Sequence, residues 1–174
     1  RRDTPPFIAE TQLQMLEILA QTGRLEDGLP PILALLRRRL TELRQGKIPL
    51  DQLLVSQKLS RNLEEYLSPS PVARAVAQLQ VHGKTVRRGQ HVRFVYTQGE
   101  PRLHNQSALD VDVRAWDLPG GNGSIYIDKA RYTTLLLRAA STILQPLGVS
   151  EGTLRDWVVA RAGYLSRPGH LVEG

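Results

Sequence analysis

The chain has 174 residues, 41% of them hydrophobic, which is enough to bury a core in one domain or two small lobes. Its formal net charge is +6, a balance that favours nucleic acid or another anionic surface over an acidic substrate protein. There is no cysteine, so disulfides and thiolate metal sites are excluded, and the longest apolar runs, such as Ile32 to Leu36, fall far short of the roughly twenty residues a spanning helix needs.

Arg1-Arg2-Asp3 opens the chain in a charged turn without an initiating Met, as an excised piece of something longer would. After Pro5-Pro6, Ile8, Met15, Leu16 and Leu19 share a helical face that ends near Gly23. Pro30-Pro31 start a second helix, where Leu29, Leu33, Leu36, Leu40 and Leu43 form a seam for an intramolecular core. Arg37, Arg38 and Arg39 fan across its flanks as a solvated face until Gly46 stops it.

The stretch from Ile48 to Tyr66 then changes period. Leu53, Val55 and Leu59 fall on one side of an extended segment and Ser56, Lys58 and Ser60 on the other, so one face is dry and the other can hold phosphate. A solvated edge strand is the plainer reading of that pattern alone. The charge around it argues for more. From Lys58 to Arg93 the bases are Lys58, Arg61, Arg74, Lys84, Arg87, Arg88 and Arg93, against Glu64 and Glu65, which places most of the surplus charge here and points to a polyanion.

Ser68-Pro69-Ser70-Pro71 reads as a linker ending in a Pro suited to a first helical turn, and Val72 to Val81 is helical up to Gly83. Lys84 to Val86 and Val92 to Tyr96 read as strands around an Arg87-Arg88-Gly89-Gln90 turn, a basic hairpin or a small curled sheet. Gln98 to Gly123 reads as a connection around one alternating run, Leu109 to Val113. Asp128 opens a helix with Tyr132, Leu135, Leu136, Ala139 and Ile143 on one stripe, ending at Pro146 and Gly148. Ser150 can cap a last helix carrying Leu154, Trp157 and Val158, and Arg167 to Gly174 reads as a frayed end. The fold class expected is α+β and predominantly helical, a helical bundle with a small antiparallel β element.

Catalytic chemistry finds little purchase. Asp110-Val111-Asp112 pairs two carboxylates, but a hard cation wants more oxygens than two residues supply. The loop Pro119 to Ser124 lacks the Lys-Ser/Thr that closes a phosphate-binding loop onto a helix. His82, His91, His104 and His170 share no metal-ligand spacing, and no Ser, His and Asp form a nucleophilic motif. No catalytic and no metal residue is assigned. A small metal-dependent enzyme built on Asp110, Asp112 and the Gly-rich loop is the remote alternative. What remains is a basic surface whose Lys and Arg bind phosphate by releasing counterions, without reading base sequence.

The segment IPLDQLLVSQKLSRNLEEY resembles the one that begins the outer thumb of family B DNA polymerases, where a Pro-x-x-x-Leu run leads to a Leu/Ile-Thr/Ser-Arg step and then a Tyr. Arg1-Arg2-Asp3 followed by Glu10-Thr11-Gln12 is similar to the passage from palm to thumb in that family. Pro71 to Gly83, Val86-Arg87-Arg88-Gly89, the Val92 to Tyr96 strand, Asp128, Tyr132, Ile143-Leu144 and Leu147-Gly148 follow in family order, so the resemblance runs from Arg1 to about Val149. Thr4 and Ala77 depart from a common Trp and Lys, and the link from Gly99 to Ile125 matches poorly.

The resemblance implies a thumb-like fragment that grips duplex primer-template DNA non-specifically and carries no active site. It would comprise a palm-thumb junction with the first helix at 1–24, the thumb at 25–149 and a C-terminal helix and tail at 150–174. Lys58, Ser60 and Arg61 would touch the DNA backbone, Arg1 and Arg2 would lie near the primer strand, and the basic surplus adds Arg74, Lys84 and Arg87 as DNA-binding candidates. No cofactor is expected in the fragment, while the parent's palm would hold Mg. Implied partners are the palm of the same chain and a sliding clamp, with no membrane and an intracellular, cytoplasmic setting. A free-standing basic nucleic-acid-binding module is the alternative.

Overall fold

The computed structural model describes residues 3–61, 70–98, 113–119 and 125–160. The chain divides into two compact units, one of Arg1–Pro6 and Pro49–Tyr132, the other of Phe7–Ile48 and Thr133–Gly174.

The first unit is built on a three-stranded antiparallel sheet in the order β1 (Val55–Lys58), β2 (His91–Tyr96), β3 (Val113–Ala115), covered on one side by helix α3 (Pro71–Val81). Its core joins Val72, Ala75, Val76 and Leu79 of the helix to Val55, Val92, Phe94, Val113 and Ala115 of the sheet, with Leu59 beside them. Local chemistry fixes both ends of α3. Ser70 caps it, its hydroxyl accepting from the Ala73 amide at 3.2 Å, and Pro71 takes the first turn, where its missing N–H costs nothing. At the far end Gly83 turns left-handed at φ 78°, so that the amides of Gly83 and Lys84 return to the carbonyls of Gln80 and Leu79.

The expected hairpin between Lys84–Val86 and Val92–Tyr96 does not form. Residues 84–87 carry no regular structure, and β2 instead pairs with β1 from earlier in the chain and β3 from later. The Gln98 to Gly123 connection likewise contains a strand at Val113–Ala115, whereas Asp110 and Asp112 lie outside the described residues. Gln78, buried on α3, closes the outer edge of β3: its Nε2 donates to Val113 O at 2.7 Å and its Oε1 accepts from Ala115 N at 2.8 Å. A primary amide thereby stands in for the strand that an edge lacks. Tyr132 ties the other elements, its hydroxyl donating to Leu53 O at 2.6 Å and accepting from Tyr96 N at 3.0 Å.

The second unit is helical. It contains α1 (Pro6–Gln21), α2 (Leu29–Arg44), most of α4 (Lys129–Leu144) and α5 (Glu151–Arg155), which runs on into a π-helical turn at Asp156–Ala160. Phe7, Ile8, Met15, Ile32, Leu36, Leu40, Leu43, Leu136, Leu137, Leu144, Leu154 and Val158 are buried. Three expected faces are rotated. Leu16 is 51% exposed, on α2 the buried seam takes Ile32 and Leu35 in place of Leu29 and Leu33, and on α4 Leu137, Ala140 and Leu144 are buried where Leu135, Ala139 and Ile143 were expected.

The Arg triplet is not uniformly solvated. The Arg39 side chain is only 13% exposed, pairs with Glu42 at 2.8 Å, donates to the Thr11 hydroxyl and lies 4.6 Å from the centre of the Phe7 ring. Its planar guanidinium can satisfy a carboxylate and a hydroxyl while covering an aromatic face, so it welds α1 to α2. Ser150 does cap α5, accepting from Thr153 N at 3.1 Å.

Candidate nucleic-acid interface

The Lys58–Arg61 step leaves the end of β1, and two backbone bonds decide its neighbours. Leu59 N donates to Gln90 O and Gly89 N donates to Leu59 O, both at 2.8 Å. The turn it meets is Arg87-Arg88-Gly89-Gln90. Gln90 N closes that turn on Arg87 O, Gly89 sits at φ 93° where a type II turn needs a glycine, and the Gln90 side chain accepts from Arg87 N at 2.7 Å. Leu59 itself is fully buried, so the clip is anchored in the core while its charged neighbours stay outside. Lys58, Ser60 and Arg61 on one strand exit and Arg87 and Arg88 on one turn therefore share exposed ground.

The strand register extends this surface. Successive side chains alternate across a sheet. Val55 opposite Phe94, and Phe94 opposite Ala115, face α3; Ser56 opposite Arg93, Lys58 opposite His91, and Val95 opposite Arg114 face the other way. That outer face is buried at Val95 and exposed at Arg93, His91 and Lys58. His91 and Arg114 on this face, and Arg93, whose guanidinium is engaged by Asp117, were not selected as site residues from the sequence. The alternation of polar and apolar residues through His91-Val92-Arg93-Phe94 is the sequence signal that could have found the first and third of these positions, and Arg114 carries no such signal.

The other candidates are placed differently. Lys84 is exposed, and its ammonium donates to the main-chain carbonyl of Asp117. Arg74 is half-buried in the first turn of α3, in the layer across the core from the outer face of the sheet. Arg1 and Arg2 lie outside the described residues.

Two phenols are perturbed. Burial pushes Tyr132 well above its ordinary range, only partly offset by the hydrogen bond from Tyr96 N. Burial likewise raises Tyr96, against the pull of the Arg131 guanidinium, which lies 4.5 Å from the centre of its ring. Both belong to the packing around Leu53 rather than to a proton-transfer site. Among the described residues no group of three His, Asp or Glu could hold a metal ion. No helix among them is long and apolar enough to cross a membrane.

What this arrangement offers is positive charge and a serine hydroxyl beside a sheet, the chemistry of holding a phosphate backbone. Comparison with known proteins agrees on the family. The model of DNA polymerase family B matches residues 1–147, and the chain belongs to that family. It is similar to the DNA polymerase of Pyrococcus glycovorans, 25% identical over 158 residues that cover 89% of this chain and 19% of that protein. The DNA polymerase of Methanocaldococcus jannaschii is 24% identical over 155 residues, covering 89% of this chain and 9% of that protein. Among solved structures, the family B DNA polymerase from the hyperthermophilic archaeon Pyrobaculum calidifontis superimposes with a TM-score of 0.69 at 21% identity, over 85% of this chain and 18% of that one. That likeness is one of fold. The chain spans less than a fifth of the length of these polymerases.

Proposed function

We propose that this chain is the thumb segment of a family B DNA polymerase and that it grips the backbone of duplex primer-template DNA without reading its sequence. The observation that carries this reading is the paired bond between Leu59 and the Gly89-Gln90 turn, which gathers Lys58, Ser60, Arg61, Arg87 and Arg88 on one exposed surface.

Lys and Arg there release counterions from the duplex, and the Ser60 hydroxyl helps fix its position. Phosphoryl transfer would occur on the palm of the parent chain, where divalent metal aligns the attacking hydroxyl and leaving group. Holding the duplex in register with that centre is the contribution of this segment, since alignment of the reacting atoms sets much of the barrier.

The test is a salt titration of binding to a short duplex. Lys58→Ala and Arg61→Ala should each lower the slope of log K against log salt by about one, with no dependence on base sequence. A double variant with an unchanged slope would reject these residues as the grip.

A further inference from the structure

Arg93 stands on the same outer face as Lys58 and His91, with half of its side chain exposed, yet it is already engaged. Its Nη2 donates to Asp117 Oδ1 at 2.9 Å, and its carbonyl accepts from Trp116 N at 2.9 Å, so both backbone and side chain are tied to the turn that follows β3. The same Asp117 takes the Lys84 ammonium on its main-chain oxygen. One acidic residue thus binds two of the bases that border the proposed grip.

We infer that Asp117 limits the grip: its carboxylate holds Arg93 away from the DNA backbone, so that Arg93 is a withheld contact and Asp117 sets how strongly this surface holds a polyanion. The inference rests on the reading of the surface as a duplex-binding one. Its chemistry is competition for a guanidinium. A carboxylate and a phosphate ester want the same N–H donors, and a half-exposed pair is weak enough for its loss to leave the fold intact.

A salt titration of duplex binding by the whole chain distinguishes this from a merely structural ion pair. Wild type, Asp117→Asn, Arg93→Ala and the double variant are compared, with Lys58→Ala alongside. Asp117→Asn should steepen the salt slope by about one as Arg93 reaches a phosphate. Arg93→Ala in the wild-type background should leave the slope unchanged, and the double variant should return to the wild-type value. A flat response to Asp117→Asn overturns the inference, as does a loss of slope in Arg93→Ala alone. A gain that survives in the double variant does the same, because it would come from net charge and not from Arg93. If Lys58→Ala lowers the slope while Asp117→Asn does nothing, only this inference fails. If wild type does not bind at low salt, the grip itself fails and the inference with it. Matching thermal melts of the four proteins confirm that folded states are being compared.

Discussion

The Tyr132 hydroxyl is held between the Leu53 carbonyl and the Tyr96 amide, and the whole side chain is buried. Tyr132→Phe keeps the ring but leaves a main-chain carbonyl and amide without their partner, which should cost about 1–3 kcal/mol in urea denaturation. The same phenol should give the fold an alkaline weakness. Its proton is held more tightly in the folded state than in the unfolded chain, where a Tyr titrates near 10.0. Its contribution is therefore fully present below about pH 10 and is lost as the pH rises further. The urea midpoint of wild type should fall more between pH 8 and pH 11 than that of Tyr132→Phe. Equal falls would assign the loss to other groups.

At the level of elements, the sheet depends on how its edge is closed. Val113 and Ala115 are fully buried, so the bonds they make to Gln78 cannot be replaced by bulk water at no cost. Gln78→Leu, similar in volume, should destabilise the protein by about 2 kcal/mol or more in chemical denaturation. A change below about 0.5 kcal/mol would show that the amide is dispensable.

This contact also marks where sequence reading stopped. Helix α3 was legible because its signals are local: Ser70, Pro71 and Gly83 bracket it, and each acts within a few residues. The pairing of β2 with β1 was not, since a period of two identifies a strand and says nothing of its partner. The nearby segment Lys84–Val86 fits the pattern as well, but the remote β1 holds the bonds. On α1, Ala9, Leu13, Leu16 and Ala20 are exposed opposite the buried Phe7, Ile8, Thr11 and Met15. With apolar residues on both sides, periodicity could not tell which face the core would take. Arg39 read as a surface charge because its aromatic and hydroxyl partners belong to another helix.

For the whole molecule, the charge excess marks a stretch of sequence rich in bases and says nothing of how each base is engaged. Counting cations gave equal weight to Arg74, half-buried on α3, and to Lys84, bound to Asp117. The fold sets these apart from Lys58, Arg61, Arg87 and Arg88, whose backbone the Leu59 clip draws together. Family membership was legible in the ordered set of motifs from Arg1 onward, although no single motif carries it. The outer-face positions of His91, Arg93 and Arg114 needed the register.

The most direct test of the account is an amide chemical-shift titration of the full chain with a short duplex at low salt. Shifts should gather at Ser56, Lys58 to Arg61 and Arg87 to His91 and should collapse on adding salt. Shifts that leave those residues unmoved and gather instead around Arg38 and Lys47 would contradict the placement of the grip.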